Sequence, residues 1–233
     1  MEGKTSNSSV ATIIAALNEA EGIGPTIEEV QRHLPDTYLL VVDGRSVDKT
    51  VEMAKDKGAE VLLQDDKGKG RAISQGITQL PSGVRYVVFT DADFTYPAEY
   101  IPKMIEILDQ NPDVGMVIGN RFGSNPDFGK VSSNVFYIGN RFLALAQHLV
   151  NGIKLEDPLS GLRVVRWEIL QGWQPKSKHF DVEAEMNYFV ERKGYGIREI
   201  PIVYRQRLGE KKLKLRHGLL ILKRIVSESL ASS

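Results

Sequence analysis

The sequence predicts an α/β protein whose mainly parallel sheet is covered by helices on both faces. Short apolar runs alternate with segments of helical periodicity through the first half of the chain, and this alternation is typical of parallel sheets. The first run, residues 10–17, is continuously apolar, as expected of a strand buried on both faces. Polar or acidic residues follow several runs, and ligands bind at such strand ends.

The elements follow in order from these patterns. Five strands are predicted in the first half, over residues 10–17, 38–43, 60–64, 86–90 and 114–118. Helices lie between them, with Ser46 as a plausible N-cap of the second and Pro97 in the first turn of the fourth. The second half predicts helices over 131–152 and 180–192, a loop entering a strand over 157–166, a strand over 197–204 and a final amphipathic helix.

One domain accounts for the whole length. The chain has 233 residues, which suits one large domain with a substantial core. The sequence shows neither an internal repeat nor a linker. We therefore assign residues 1–203 to the main body and residues 204–233 to a C-terminal basic loop and amphipathic helix of the same domain.

Composition excludes several classes of function. The chain has no cysteine, which excludes disulfide scaffolds, thiolate zinc sites and cysteine nucleophiles. Thirty basic residues balance thirty acidic ones, so no global field favours a nucleic-acid partner. The polar first ten residues contain no signal-peptide core, and no run reaches the roughly 18 apolar residues of a membrane span. We expect a soluble chain, or one that lies on a membrane without crossing it.

The strongest local motif is Asp91-Ala92-Asp93, which follows the fourth strand. Two carboxylates one residue apart can share a hard cation such as Mg²⁺ or Mn²⁺, with substrate phosphates completing the coordination. An isolated pair of this kind is more often a solvated acidic turn. Its position at a strand end, where ligands are expected, favours the metal site.

Other strand ends add polar groups to the same edge of the sheet. Leu17-Asn18-Glu19 follows the first strand, and Asp43-Gly44 ends the second. Asp43 could accept hydrogen bonds from a base or a ribose, or it could simply belong to a strand-to-helix turn. Both interpretations stay open on the sequence alone.

Several basic residues are candidates for phosphate binding. Residues 67–71 (KGKGR) form either a phosphate-binding turn or a solvated basic one, since the P-loop spacing is missing. Arginine pairs bidentately with phosphate, and the candidates are Arg121, Arg141 and Arg163. A basic segment follows at residues 205–216, with six basic residues against one acidic.

Histidine chemistry is not predicted. The four histidines show neither metal-ligand spacing nor a triad arrangement, so we interpret them as structural or solvated: His33, His148, His179 and His217. The segment FDVEAEM contains three carboxylates, which are Asp181, Glu183 and Glu185. They either face a cleft or lie on a helix face that is exposed to solvent.

Taken together, the motifs resemble those of the inverting nucleotide-sugar transferases of the GT-A fold, and within them the dolichyl-phosphate mannose synthase type. The matching segments span nearly the whole chain: AALNE (15–19), VVDGRSVDKT (41–50), GKGRA (68–72), TDADFTYP (90–97), GNRF (119–122), DPLSGLR (157–163), FDVEAEM (180–186) and YRQRLGEKKL (204–213). The chain departs from the usual PxYNE motif at Ala15 and Leu17, and it has Thr95 where some members have a glutamine ligand.

The resemblance implies a role for each matching position. The nucleotide pocket would include Ala15, Leu17, Glu19, Asp43 and Ala92. The metal on the sugar-nucleotide diphosphate would be held by Asp91 and Asp93, with Thr95 at the position of a third ligand. Arg121 and Arg141 would hold the lipid phosphate, while Arg205 and Lys212 would close over the donor phosphates.

The implied reaction transfers a hexose, foremost mannose from GDP-mannose, to a polyprenyl phosphate with inversion. A lipid phosphate is already anionic, so it needs positioning more than deprotonation, and arginines with a metal supply this. Glucosyl transfer from UDP-glucose is the nearest alternative. A hydroxyl acceptor would require a base, for which Asp181 or Glu183 is the candidate. A non-catalytic membrane-surface module is a further alternative.

The acceptor implies a membrane. The basic segment and the final helix could dock on anionic headgroups, or the helix could pack on the domain. We expect a peripheral protein at the cytoplasmic face, without a nucleic-acid partner. Some relatives of this type continue into membrane helices, so a membrane-anchoring partner or a longer natural chain is also compatible.

Overall fold

The protein is described by a computed structural model that covers residues 8–123, 135–210, 212 and 216–230, with the side chains of 135, 136 and 216 left out of the description. Within these residues, seven strands form one sheet: β1 (Val10–Ala16), β2 (Tyr38–Asp43), β3 (Glu60–Leu63), β4 (Tyr86–Asp91), β5 (Val114–Asn120), β6 (Arg163–Arg166) and β7 (Gly196–Pro201). The same part of the chain contains eight α-helices: α1 (Ala20–His33), α2 (Thr50–Asp56), α3 (Lys69–Thr78), α4 (Ile101–Gln110), α5 (Val135–Asn151), α6 (Trp167–Leu170), α7 (Val182–Arg192) and α8 (Arg216–Leu230).

The sheet is mixed and mainly parallel, as the sequence predicts. Its strand order is β3-β2-β1-β4-β6-β5-β7. Strands β1, β2, β3 and β4 run parallel, and β6 is antiparallel to both of its neighbours, β4 and β5. The carboxyl ends of β1, β2 and β4 therefore meet at one edge, which is where ligands bind in such sheets.

Each face of the sheet carries its own apolar core because successive side chains of a strand point to opposite faces. Ile14 of β1 packs with Ile23 and Ile27 of α1 on one face. Its neighbour Ile13 packs with Ile73 of α3 and with α7 on the other face. This two-sided burial explains the continuous apolar run of β1.

A further layer covers α7 on its outer side. Leu143 of α5 and Ile221 and Ile225 of α8 form a small apolar cluster around Ala184 of α7. The C-terminal helix thus packs on the domain through one side. Residues 131–134 of the predicted helix 131–152, and residues 211 and 213–215 of the basic segment, lie outside the described residues.

Three local predictions are wrong. Ser46 does not cap α2, which begins at Thr50, because its hydroxyl donates to Asp43 Oδ2 at 2.5 Å. Pro97 is extended and precedes a short 3₁₀ turn, so the proline in the first turn of α4 is Pro102. Strand β7 ends at Pro201, since the following segment forms hydrogen bonds to the turn after β4 instead.

Candidate active site at the rim of the parallel strands

Three turns form a rim at the carboxyl edge of the sheet, comprising residues 17–19 after β1, 43–48 from the end of β2 and 91–95 from the end of β4. The register brings them together, because Ala16 pairs with Asp43 and Ala15 with Asp91. Among the described residues, the non-glycine residues with positive φ are Asn18 (49°), Arg45 (63°) and Phe94 (64°), one in each turn. Backbone strain of this kind concentrates at functional sites.

Asp91 is held by a buried cation. Lys69 Nζ lies 2.6 Å from Asp91 Oδ1 and 2.6 Å from Glu183 Oε1. Burial works to lower the pKa of Lys69, but the two carboxylates outweigh it and raise that pKa. The lysine is therefore charged, and it bridges the two carboxyl groups. The sequence placed Lys69 in a phosphate-binding or solvated turn, whereas in the structure it binds carboxylates.

Asp93 is buried in the turn and oriented by its neighbours. The Thr95 hydroxyl donates to Asp93 Oδ1 at 2.6 Å, and Arg207 Nη1 lies 3.4 Å from Asp93 Oδ2. Burial and the charge of nearby Asp91 raise the pKa of Asp93. Two carboxylates that repel each other in a partly dehydrated site favour an added cation.

Two glycines allow the chain to approach the carboxylate pair closely. A Cβ on Gly161 would lie 2.6 Å from Asp91 Oδ2. A Cβ on Gly22 of α1 would lie 2.5 Å from the Ala92 carbonyl oxygen. Neither distance is tolerated by a real side chain, so glycine at both positions lets a loop and a helix enclose the Asp91–Asp93 turn.

A basic strap, residues 205–210 with Lys212, covers the rim. The Arg205 and Leu208 amides donate to the Thr95 and Asp93 carbonyls. Arg207 Nη2 lies 2.8 and 2.9 Å from the two Glu19 carboxylate oxygens.

Lys212 completes the strap's contacts with the turn after β1. Its Nζ lies 2.8 Å from Glu19 Oε1 and 2.7 Å from the Asn18 carbonyl oxygen. Burial raises the pKa of Glu19, and the two cations offset this only in part.

Arg205 closes the outer end of the strap on α1. Its guanidinium forms a bidentate pair with Glu29, at 2.7 Å for both contacts, and lies over the Phe94 ring. Neither Glu29 nor Arg207 was predicted from the sequence as a site residue. The high density of basic residues in 205–216 could have indicated Arg207. Nothing in the sequence distinguishes Glu29 from any other glutamate on a helix.

The predicted nucleotide-pocket residues lie on the rim or immediately behind it. Asp43 is fully buried and accepts from the Ser46 amide and hydroxyl. Leu17 is exposed, and Ala92 is buried under α1. Ala15 lies beside Lys69 and Gly161 in the wall of a small cavity. The structure therefore groups these side chains with Glu19.

The two predicted acceptor arginines differ in their surroundings. Arg121 is bidentate to buried Asp157, at 2.7 and 2.6 Å, and its pKa is raised because Asp157 outweighs the effect of burial. Arg141 is exposed on α5, with Nη1 3.4 Å from the Glu156 carbonyl oxygen. Adjacent Glu156 and Asp157 thus bring both arginines to the same loop.

Arg163 does not bind phosphate as the sequence suggested, because it is a core residue. It is almost fully buried, and it donates to Ser160 O at 2.8 Å and to Asn187 Oδ1 at 2.5 Å. Its guanidinium is satisfied by protein oxygens of the 158–160 loop and α7, so it supports that loop.

All three carboxylates of the FDVEAEM segment, including the two candidate bases Asp181 and Glu183, are already engaged. Glu183 pairs with Lys69, and Asp181 lies 3.1 Å from Arg224 Nε. Glu185 accepts from the amides of Lys176 and Ser177 at 2.8 and 2.7 Å. These contacts position the 176–181 loop and α7.

The carboxylates at the rim fit a divalent metal ion only if a bound ligand completes its coordination. No group of three or more histidine, aspartate or glutamate side chains in the described residues could hold a metal alone. Asp91 and Asp93 offer hard oxygens, and the raised pKa of Asp93 indicates uncompensated negative charge. Such a pair suits Mg²⁺ or Mn²⁺ whose coordination is completed by phosphate oxygens. Thr95 is buried and bonded to Asp93, so its predicted role as a third ligand stays a prediction.

The chain matches the family described as glycosyl transferase family 2 over residues 11–171. The protein belongs to this family. A dolichyl-phosphate hexose transferase of Haloferax volcanii is 31% identical over 206 residues, which cover 88% of this chain and 86% of the relative. An undecaprenyl-phosphate mannosyltransferase of Micrococcus luteus is 29% identical, with 88% and 87% covered.

Other relatives of this family 2 glycosyltransferase extend the comparison. A dolichol-phosphate mannosyltransferase of Pyrococcus furiosus is 29% identical over 88% of this chain, which spans 59% of that enzyme. The glucosyl-3-phosphoglycerate synthase of Mycobacterium tuberculosis, solved with Mn²⁺ and UDP-glucose, has a TM-score of 0.73 at 21% identity over 95% of this chain and 79% of that one. The resemblance drawn from the motifs and the GT-A fold are both confirmed.

In the described part of the chain, no helix combines the length and the apolar character that crossing a bilayer requires.

Proposed function

We propose that this family 2 glycosyltransferase transfers a hexose from a nucleotide sugar to a polyprenyl phosphate. The printed activities of the Haloferax, Micrococcus and Pyrococcus relatives support the reaction class. The observation that carries the proposal is the rim itself. There the Asp91–Asp93 pair lies among three cations from distant segments, Lys69, Arg207 and Lys212.

A nucleoside diphosphate suits this arrangement. Arg207 contacts the carboxylates of Glu19 and Asp93, and Lys212 contacts Glu19 and the Asn18 carbonyl oxygen. Both side chains form charge-assisted hydrogen bonds with phosphate as well as with carboxylate. On donor binding, we infer that both cations turn from Glu19 to the diphosphate. Asp43 and Glu19 then remain at the wall of the pocket for the nucleoside.

The carboxylate pair would hold a divalent cation on the donor phosphates. When bound, that metal stabilises the charge that develops on the departing diphosphate. Lys69 keeps Asp91 oriented toward the rim, and Thr95 does the same for Asp93. These protein contacts place the two carboxylates before any ligand arrives, which is what electrostatic preorganisation requires.

The surroundings of the candidate bases support an acceptor that is already anionic. The two candidates, Glu183 and Asp181, are both paired with cations. A sugar hydroxyl would need one of them to accept a proton, whereas a phosphate needs only to be positioned. Arg121 and Arg141 are our proposed phosphate ligands, with Asp157 fixing the plane of Arg121.

For the donor, we propose GDP-mannose, with UDP-glucose as the alternative. Two of the relatives are named mannosyltransferases, and a third is named for hexose transfer without a specified sugar. The structural neighbour solved with UDP-glucose supports the fold and not the donor.

The test is transfer of radiolabel from GDP-mannose and from UDP-glucose, in parallel, to a polyprenyl phosphate in detergent. Each reaction is run with Mg²⁺, with Mn²⁺ and with chelator. We expect label in the lipid phase from GDP-mannose with either metal and none with chelator. Label from UDP-glucose alone would move the donor to the alternative. Equal label with chelator would contradict the metal role, and label on a hydroxyl acceptor without lipid would contradict the acceptor.

A further inference from the structure

The glutamine that follows β3 has a side-chain oxygen that no described residue satisfies. Gln64 is 3% exposed, and its Nε2 donates to the Gly68 carbonyl at 2.9 Å. Because a carbonyl oxygen only accepts, this bond fixes which end of the amide is the nitrogen. Oε1 is the other end, and it accepts no hydrogen bond from the part of the chain that the structure describes. A buried polar atom without a partner indicates that a ligand supplies one.

This oxygen borders a small space above Gly44, in the turn after β2. A Cβ on Gly44 would lie 3.4 Å from Gln64 Oε1, from the Ala16 carbonyl oxygen and from Leu17 Cδ1. The Ala16 oxygen already accepts the Gly44 amide at 2.8 Å, and its second lone pair is available. The space is therefore bordered by two hydrogen-bond acceptors and by an apolar side chain, Leu17, that is 44% exposed.

Asp43 does not add a third acceptor to this space. The residue is fully buried, and its two carboxylate oxygens accept from the amide and the hydroxyl of Ser46 at 2.7 and 2.5 Å. Asp43 thus holds the turn from behind. The acceptors that a ligand above Gly44 meets are Gln64 Oε1 and the Ala16 carbonyl oxygen.

A flat ring with two neighbouring N–H donors suits this pair of acceptors. Guanine has such an edge, with the N1–H group beside the N2 amino group. Uracil has a single N–H group between two carbonyl oxygens, and a pair of acceptors repels those oxygens. The exposed Leu17 side chain offers an apolar contact for the face of the ring, as is usual in pockets for small molecules.

We propose that the space above Gly44 is the nucleobase site and that Gln64 is the residue that selects guanine over uracil. Guanine donates through N1 and N2 to Gln64 Oε1 and to the Ala16 carbonyl, while Leu17 packs on the ring. The inference rests on the proposed function, which places a nucleoside diphosphate at the rim. It deepens that function, because it assigns the choice of base to one side chain.

The position of this site fits a diphosphate held by the strap. Leu17 borders the base, and Glu19, two residues later, contacts both Arg207 and Lys212. Two residues of extended chain span at most about 7 Å, so the cations lie near the base site. A nucleotide whose base lies above Gly44 can therefore extend its phosphates toward the strap.

The test is calorimetric binding of three nucleoside diphosphates, GDP, inosine diphosphate and UDP, with Mg²⁺ and without acceptor. Inosine diphosphate differs from GDP only in lacking the N2 amino group. The wild-type chain is compared with Gln64→Leu, Gly44→Ala and Gln31→Leu. The last is a matched control, because Gln31 also donates through Nε2 to a backbone carbonyl, that of Lys57 at 2.8 Å, but near the C-terminal end of α1.

We expect the wild type to bind GDP at least about tenfold more tightly than UDP, because UDP leaves the two buried acceptors unpaired. Inosine diphosphate should lie between them, since it lacks one of the two donors. Gln64→Leu should weaken GDP binding roughly tenfold and UDP binding less than about threefold. A purely structural role for Gln64 would weaken both nucleotides equally. Gln31→Leu should match the wild type.

Gly44→Ala tests the location of the base. Gly44 lacks the positive φ that disfavours alanine, and 3.4 Å is a tolerated contact, so this variant should fold. Its methyl group occupies the space assigned to the ring. Binding of GDP and of UDP should therefore fall alike, by roughly tenfold.

Three results would overturn the proposal. They are wild-type binding of UDP as tight as that of GDP, an unchanged ratio of GDP to UDP affinity in folded Gln64→Leu, and undiminished binding of GDP by Gly44→Ala. If Gln64→Leu does not fold, the three nucleotides on the wild type still decide whether the base is read through two donors. A preference for guanine without any sugar transfer would contradict the proposed reaction alone, and transfer without a preference between the bases would contradict only the role of Gln64.

Discussion

The rim and the exposed sides of helices α5 and α8 depart from the usual distribution of side chains in opposite directions. We call the latter the outer face; it comprises Ile138, Phe142, Leu145, Leu149, Leu219, Val226 and Leu230. At the rim, the acidic residues Glu19 and Asp93 are less than 10% exposed, as is Glu183, which binds Lys69 behind the rim. On the outer face, Leu149 and Leu219 are more than 70% exposed. Burial of charge and exposure of apolar surface both cost stability in a free protein. The two regions therefore differ in the kind of surface they present, paired charges at the rim and uncovered apolar side chains at the outer face.

The contrast also lies in how each region is held. Rim side chains are paired across long sequence distances, since Arg207 contacts Glu19 and Asp93 and Arg205 contacts Glu29. Outer-face side chains point outward from helices whose inner faces are packed. Substitutions at the rim should therefore lower the transfer rate, and substitutions on the inner side of α8 should lower stability. Substitutions on the outer face should change neither quantity.

The largest expected effect is on transfer activity. Asp93→Ala should lower the transfer rate by roughly a thousandfold or more, because a catalytic metal contributes several kcal/mol and each 1.36 kcal/mol is tenfold. The measurement is single-turnover transfer of labelled hexose with Mg²⁺ or Mn²⁺. Asp36→Ala is the control, as Asp36 is exposed in the turn between α1 and β2, at the opposite end of the sheet. A variant at position 93 with most of its activity would contradict the metal role.

A smaller effect, on the free energy of unfolding, should distinguish the buried inner side of α8 from the exposed side of α5. Ile225→Ala should lower the free energy of unfolding by roughly 2–5 kcal/mol, because the side chain is buried in the cluster between α5, α7 and α8. Leu149→Ala should change it by less than about 0.5 kcal/mol. Urea unfolding followed by circular dichroism measures both. Equal losses would mean that Leu149 is covered in the free protein, and the comparison between the two faces would fail.

The smallest effect is a gain in stability at the rim. Burial and Asp91 raise the pKa of Asp93, so the folded protein binds this proton more tightly than the unfolded one. The ionised form therefore costs stability at pH 7, and the cost is absent below the ordinary aspartate pKa of about 3.8. Asp93→Asn should raise the melting temperature at pH 7 by a few degrees.

The pH dependence provides the check on that gain. The difference from wild type should shrink as the pH falls toward the ordinary aspartate range, and it should vanish below that range. Thermal unfolding at several pH values measures it. A lower melting temperature for Asp93→Asn at pH 7 would show that the contact with Arg207 outweighs the cost of burial.

The edge at which the parallel strands end could be predicted from the sequence. The apolar runs and the residues that follow them predicted that the ends of β1, β2 and β4 meet at one edge, and the structure confirms this. Local hydrophobic pattern carries that information because each strand is buried on both faces. The hydrogen bond from Ser46 to Asp43 could not be predicted from the sequence. A serine hydroxyl in a turn can cap the next helix or bond to the end of the preceding strand, and the local sequence favours neither.

Arginines show the limit most clearly. The sequence gave Arg121, Arg141 and Arg163 the same candidate role in phosphate binding, and it placed Arg207 only within a basic segment. The fold buries Arg163 behind Asn187, leaves Arg141 exposed and brings Arg207 to Glu19. A guanidinium group binds the acceptors that lie next to it in the fold. Because these acceptors belong to segments far away in the sequence, the local sequence does not reveal them.

The sequence by itself determined the fold class, the family and the edge of the sheet at which the chemistry lies, because these follow from periodicity and from residues close together in the chain. Only the tertiary structure decided that Lys69 bridges Asp91 and Glu183, that the strap reaches Glu19 and Asp93, and that α5 and α8 turn their apolar stripes to the same side. Such pairings depend on the distances between elements that the packed core sets, and no local pattern encodes those distances.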